Sequence, residues 1–113
     1  MGASPDVRMT WHVQAVIRAF LERPSQKMYG LEISNQAGLA SGTIHPILAR
    51  LERIGWLESE WEDSDPRQTG RPRRRYYRLS PDGAEKARQA LAGTRNAFAP
   101  AGRLTLSPDG SAL

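Results

Sequence analysis

Four of the five residues from Arg71 to Arg75 are arginine, and Tyr76 and Tyr77 follow directly. An arginine fork pairs bidentately with phosphate and with guanine edges, whereas lysine acts more as a point charge. This basic, aromatic run therefore carries the residue types that grip nucleic acid, and equally those of a solvated loop. Little else in the chain could do chemistry. His12 and His45 fall on different expected elements, and no histidine–carboxylate spacing resembles a metal site or a catalytic triad. No glycine-rich loop could cradle a phosphate. Glu58, Glu60 and Glu62 alternate as on the solvated or paired face of a strand. The expectation is a non-enzyme with no cofactor and no metal.

The totals set the frame. A chain of 113 residues suits one compact domain. It has no cysteine, which excludes a disulfide scaffold and thiolate zinc sites and suits a reducing cytoplasm. No apolar run approaches the ~20 residues of a membrane span. Met1 to Thr10 lacks an apolar core, so no secretory signal is expected. The formal net charge is +4, and arginine supplies 14 of the 16 cations. An arginine-rich proteome would give the same total, so position has to decide.

Residues 1–8 read as a disordered lead. Val13, Val16, Ile17, Phe20 and Leu21 recur at helical spacing over Met9 to Leu21, with Thr10 as N-cap and Arg23-Pro24 as the stop. Ser25 to Lys27 make a connection. A short second helix is expected over Tyr29 to Gln36, with Tyr29, Ile33 and Ala37 on one face and Gly38 as its stop. A third runs from Ser41 or Gly42 to about Arg53 on the stripe Ile44, Ile47, Leu48, Leu51 and Ile54. Pro46 is expected in its first turn and Gly55 at its end. The period then becomes two: Leu57, Ser59 and Trp61 oppose Glu58, Glu60 and Glu62, and Arg75, Tyr77 and Leu79 oppose Arg74, Tyr76 and Arg78. The stretch "DSDPRQTGRP" between them reads as a loop, so the two runs make an antiparallel hairpin. Ser80 caps a fourth helix, Pro81 to Phe98, along Ala84, Ala87, Leu91 and Phe98. From Ala99 the composition reads as disordered. The duplicate "LSPDG" at 79–83 and 106–110 is not a structural repeat.

The fold expected is mainly α with a small β-hairpin: a winged helix-turn-helix plus a C-terminal dimerisation helix. Its parts are a lead (1–8), a winged-helix domain (9–80), the dimerisation helix (81–98) and a tail (99–113). In that geometry the third helix lies in the major groove. Its polar face is Ser41, Thr43, His45, Ala49, Arg50 and Arg53. The small, hydroxylated start lets the backbone approach, and free N–H groups there favour phosphate. Thr43 and His45 are placed to reach base edges and Arg50 phosphate, while Arg53 reads as an ordinary surface residue. Glu58, Glu60 and Glu62 lie across from Arg74, Tyr76 and Arg78, where opposite charges contribute ~0.2–1 kcal/mol a pair. Arg67, Arg71 and Arg73 sit near the tip without such partners, although Asp63 and Asp65 could offset them. "GRP" there resembles a minor-groove hook built on Arg71 and Arg73. Tyr77 reads as core and Tyr76 as cover. Trp56 and Trp61 read as filling the core and hairpin, and Trp11 is left open.

Three stretches together, "YGLEI" (Tyr29 to Ile33), "SGTIHPILARLERIGWL" (Ser41 to Leu57) and "GRPRRRYYRLSPDG" (Gly70 to Gly83), resemble in order and spacing the signatures of the PadR family of transcriptional regulators. The resemblance covers roughly Val13 to Leu91. It implies a winged-helix protein that binds double-stranded DNA as a homodimer, usually as a repressor on a palindromic operator. It places Ser41, Gly42, Thr43, His45 and Pro46 at the groove and the wing arginines on the flanking backbone. With Lys27, Tyr29, Arg50, Arg71, Arg73 and Arg74 these form the DNA-binding set. Members commonly carry tyrosine where this chain has His45, which bears on base preference. Members also dimerise through C-terminal helices. Here the single alanine-rich helix is expected to pack against a partner's first helix, through Trp11, Ala84, Ala87, Leu91 and Phe98. Some relatives release DNA when a flat aromatic compound or other small molecule binds near the dimer interface. An unidentified effector is thus a candidate partner, and Trp11, Trp56 and Trp61 candidate lining. The location implied is the prokaryotic cytoplasm, at the nucleoid. The alternatives are a non-specific nucleic-acid binder and a protein-docking winged helix.

Overall fold

The computed structural model describes residues 8–98. The rest of the expected lead and the tail from Ala99 lie outside the described residues, as do the side chains of residues 95–98, Phe98 included. The elements are α1 (Trp11–Leu21), β1 (Met28–Tyr29), α2 (Gly30–Ala37), α3 (Ser41–Arg53), β2 (Leu57–Trp61), α4 (Pro66–Thr69), β3 (Arg75–Leu79) and α5 (Pro81–Phe98).

The helices form where period and caps agree. Thr10 Oγ1 accepts from Val13 N at 3.2 Å and starts α1, which buries Val13, Val16, Ile17 and Phe20. Gly38 ends α2 in the left-handed region at φ 72°. Residues 38–40 then turn the chain into α3, whose Ile44, Ile47, Leu48 and Leu51 are buried. Pro46 is not in the first turn of α3; it is the sixth residue of the helix. It removes one bond to the Gly42 carbonyl. Gly42 is exposed, so water can take that carbonyl.

The hairpin proves to be part of a three-stranded antiparallel sheet in the order β1-β3-β2. Met28 and Tyr29, the latter expected in a helix, pair with Tyr77 and Tyr76. Two residues are too few to show an alternation, so only the tertiary partner reveals β1. Between β2 and β3 the register runs from Leu57↔Leu79 through Glu58↔Arg78 and Glu60↔Tyr76 to Trp61↔Arg75. Burial fades along the inner side of β2, from Leu57 (buried) through Ser59 (half-buried) to Trp61. Trp56 is core, but Trp61 does not fill the hairpin: it is 60% exposed. The connection expected to be loop contains α4, one turn capped by Asp65 Oδ1 on Arg67 N (3.0 Å) and closed by Gly70 at φ 76°.

α5 is fastened to the sheet by Ser80. Its N–H donates to the Trp56 carbonyl (3.0 Å), its Oγ donates to the Gly55 carbonyl (2.8 Å) and accepts from Gly83 N (2.8 Å). Gly83 passes so near the Trp56 backbone that a Cβ there would overlap it. Farther along, Ala87 and Leu91 join the core of the same chain, with Phe20, Ile17 and Leu51. They are therefore not surface groups available to a second copy, because α5 must cover its own α1 and β3 first. Ala84 is partly buried against the same core.

Two glycines of α5 should respond oppositely to alanine. Gly83→Ala should destabilise by about 1–3 kcal/mol through overpacking on Trp56. Gly93→Ala, with open space around it, should stabilise by about 0.5–1 kcal/mol through helix propensity. Urea denaturation of both variants measures the contrast.

Candidate nucleic-acid interface

The first part of the site is the face of α3 turned away from its apolar stripe. Ser41, Gly42, His45, Pro46, Ala49, Arg50 and Arg53 are exposed and Thr43 is half-buried. The N-cap is Ala40, which has no side-chain acceptor. Its carbonyl takes Thr43 N (2.9 Å) and Ile44 N (3.1 Å). The N–H groups of Ser41 and Gly42 have no partner among the described residues. Two aligned donors at the positive end of a helix are suited to an anion such as a backbone phosphate. The His45 ring is placed by α2: a Cβ on Gly30, the first residue of that helix, would lie 3.3 Å from His45 Cε1.

The second part is the outer face of the sheet and the wing, residues 62–74. Here each glutamate of β2 and the residue after it holds one cation. Glu58 accepts from Arg78 (3.3 Å), Glu60 from Lys27 (2.8 Å), and Glu62 bidentately from Arg71 (2.7 and 2.9 Å). Glu62 also accepts from Arg74 N (3.1 Å), and its own N–H donates to the Arg74 carbonyl (2.7 Å). The Arg71 guanidinium, followed by the Arg74 N–H, pulls the Glu62 carboxyl down to about 2. The Lys27 ammonium lowers Glu60 in the same way. Arg71 was expected to lack an acidic partner at the tip. It is instead folded back onto Glu62, because Gly70 turns the chain towards the base of the wing.

Arg73 is exposed, with its Nε on the Ser64 carbonyl (2.7 Å). The Arg74 guanidinium lies 4.0 Å from the Tyr29 ring centroid, and Tyr29 meets Tyr76 edge-on at 5.7 Å. Lys27 sits 5.1 Å from the Tyr76 ring. Lys27, Tyr29, Arg74 and Tyr76 thus form one cluster beside the start of α2. Of the α3 and wing cations, Arg50, Arg53, Arg73 and Arg74 have no carboxylate partner among the described residues; Arg67 has Asp65 at 3.7 Å.

The structure brings Ser41, Gly42, Thr43, His45, Pro46 and Arg50 together on the exposed side of α3, and Lys27, Tyr29, Arg71 and Arg74 on the sheet's outer face and wing. It separates Trp11 from both. That indole is 68% exposed on α1, with His12 at 4.2 Å. Reading the sequence for DNA contacts passed over Glu52, Ser59 and Arg75, which join α3 to the sheet. The available signal was parity: Arg75 shares the inner face of β3 with Tyr77 and Leu79, where a charge needs a partner.

A short helix, a three-residue turn, a second helix and an antiparallel wing define the winged helix-turn-helix class. The Transcriptional regulator PadR-like family matches residues 19–89, more than half of the chain. This chain belongs to that family of transcriptional regulators, which are DNA-binding proteins and not enzymes. Comparison with curated proteins gives no match. Solved structures share the fold. A transcriptional regulator homologue from Pyrococcus horikoshii is 19% identical with TM-score 0.60, over 76% of this chain and 78% of the other. A ZitR mutant from Lactococcus lactis is 16% identical with TM-score 0.58, over 85% and 60%. AbfR of Staphylococcus epidermidis is 23% identical with TM-score 0.57, over 83% and 56%. The chain thus spans less than two thirds of the ZitR and AbfR structures. Among the described residues no helix is long and apolar enough to cross a membrane.

The wing's charge centre should titrate late. The folded value of Glu62 lies below its ordinary 4.5, so its pairing stabilises the wing above that pH and the contribution is lost as pH falls towards about 2. Carboxyl NMR should place the Glu62 midpoint near 2, and Glu62→Gln should remove that step. A midpoint above 4 would show that the Arg71 pair does not persist in solution.

Proposed function

We propose that the protein is a cytoplasmic, homodimeric repressor, acting at the nucleoid on a palindromic operator, with α3 in the major groove. The carrying observation is that, among the described residues, no polar side chain from Ser41 to Arg50 on α3 makes a hydrogen bond, and two backbone N–H groups beside them have no partner there. A surface helix of a docking module has no need to leave its first turn uncapped. Ser41, Gly42 and Pro46 admit the backbone to the groove, Thr43 and His45 read base edges, and Arg50 holds phosphate. Lys27 and Tyr29 hold the strand that crosses the start of α2. Arg73 and Arg74 follow the backbone or enter the minor groove. Arg71 contributes mainly through the wing's shape, since Glu62 occupies its fork. The exposed Trp11 supports a dimer contact between α1 and a partner's α5, and offers a flat aromatic effector a stacking surface.

Fluorescence anisotropy over a salt series tests this, with a random duplex and with the DNA upstream of the protein's own coding sequence. Tighter, strongly salt-dependent binding to the upstream DNA is expected. Equal binding to both would point to a non-specific binder, and no binding at low salt to a docking module. Light scattering at micromolar concentration should give a dimer; a monomer would overturn that part of the reading.

Three substitutions separate the roles. Arg73→Glu should weaken binding to all duplexes and lower the salt slope by at least about 1. His45→Ala should change sequence preference at one base pair, with about 1–3 kcal/mol of discrimination lost. Ala40→Asp should stabilise the fold by about 1 kcal/mol as a new N-cap yet weaken DNA binding, because its carboxylate occupies the phosphate donors. Thermal melting and anisotropy on the same samples read both signs.

A further inference from the structure

The recognition helix is attached to the sheet mainly by apolar packing, which is non-directional and sets a helix's angle less sharply than a hydrogen bond does. One polar connection stands out. Glu52, in the last turn of α3, is the only α3 residue whose side chain makes a hydrogen bond among the described residues. Arg75 Nη2 donates to its Oε1 (3.3 Å) and Oε2 (3.2 Å), and Ser59 Oγ donates to Oε2. Arg75 in turn donates from Nε (3.1 Å) and Nη2 (2.8 Å) to Ser59 Oγ. The half-exposed Arg75 guanidinium lies 5.3 Å from the face of Trp61. Arg75 is the first residue of β3, where the wing rejoins the sheet.

We propose that Glu52 and Arg75 are positioning residues that set the angle between α3 and the wing, and through it sequence discrimination, without touching DNA. The inference rests on the DNA-binding reading of α3. It follows from where the clamp lies and what it leaves open. Arg75 points to the inner face with Tyr77 and Leu79, while the neighbouring Arg74 and Arg78 point outward. Its Nε and Nη2 are already engaged by Glu52 and Ser59. Ser41 and Glu52 are eleven residues apart, a lever of about 16 Å at 1.5 Å per residue. A tilt of about 10° about the Glu52 end therefore moves the first turn by about 3 Å, beyond the tolerance of a base hydrogen bond. A half-exposed ion pair adds little to global stability. Its charge-assisted hydrogen bonds, from one Arg75 nitrogen to both Glu52 oxygens and tied to Ser59, are directional where the apolar stripe is not.

Two readouts test the clamp, one without DNA. The chain has no cysteine, so Ser41→Cys and Gln68→Cys can carry spin labels on the first turn of α3 and on α4. Labelled chain is diluted into unlabelled chain so that only distances within a protomer are read. The parent should give one narrow distance distribution. Glu52→Gln and Arg75→Met should broaden it or shift it by 3 Å or more, and the swap Glu52→Arg with Arg75→Glu should restore it. Circular dichroism confirms folding, and the isosteric Gln serves where Met does not fold. An unchanged distribution in both single variants overturns the proposal.

In the second readout, anisotropy compares a random duplex with the duplex that the parent selects from a random pool. Both single variants should lose at least tenfold on the selected duplex and less than twofold on the random one, at an unchanged salt slope. Equal losses on both duplexes with a lower salt slope for Arg75→Met would make Arg75 a phosphate contact and overturn the proposal. A parent that selects no duplex would defeat the DNA reading instead, while the label distances still decide the clamp.

Discussion

Everything on the outer surface of the wing depends on the register of β3, the central strand. Because side chains alternate with a period of two, a slip of one residue would bring Arg74, Tyr76 and Arg78 under the helices and expel Tyr77 and Leu79. The register is pinned at both ends. At one end Ser80 binds the carbonyls of Gly55 and Trp56. At the other, the Glu62 N–H donates to the Arg74 carbonyl, and the Glu62 carboxylate holds both the Arg74 N–H and the Arg71 fork. Between these pins, Leu57 and Leu79 bury a shared apolar surface. The same two pins also fix where α5 departs and where the wing begins, so core, wing and C-terminal helix share one alignment.

That alignment changes what the arginine run means. Read as composition, "RPRRRYYR" is a uniform patch of positive charge. Placed on the sheet it divides by parity and by partner. Arg71 and Arg78 neutralise glutamates, Arg75 turns inward to Glu52, and among the described residues Arg73 and Arg74 keep a guanidinium without a carboxylate. A wing whose cations are mostly matched presents shape more than charge. Non-specific affinity grows with each phosphate neutralised, so in the proposed reading the glutamate row of β2 restrains binding to arbitrary DNA and leaves a larger share of recognition to α3.

The parts of this architecture that the sequence discloses are those with a repeated local signal. The stripes of α1 and α3, the Thr10 and Ser80 caps, the Gly38 stop and the alternation of β2 and β3 all repeat or cap within a few residues. What it withholds depends on distant partners. β1 exists because Tyr76 and Tyr77 lie alongside it. Trp61 is exposed because the inner face of β2 outruns the helices covering it, although its parity matches Leu57. Ala87 and Leu91 read as a free stripe seeking a second copy, since the sequence does not show that α1 and β3 already receive them. α4 was legible in principle, as Asp65-Pro66 and Gly70 are cap, first position and stop. A single turn, however, has no period to announce it. At the site, the exposed face of α3 was readable, whereas the pairing of Arg71 and the inward turn of Arg75 required the register.

The distribution of stability within α3 follows from these placements. Its underside is fixed by Ile44, Leu48 and Leu51, each almost wholly buried, and its C-terminal turn by Glu52. Among the described residues its N-terminal turn has neither a side-chain cap nor a partner for its first donors, and Pro46 removes a further bond one turn on. Helix ends in a stable fold usually have their exposed groups capped. Here the uncapped end coincides with the small residues Ser41 and Gly42, the two positions that best admit a close backbone. A helix secured from below and at its far end can leave its near end to an external ligand. The anion that completes that turn then adds to stability by binding only the folded state.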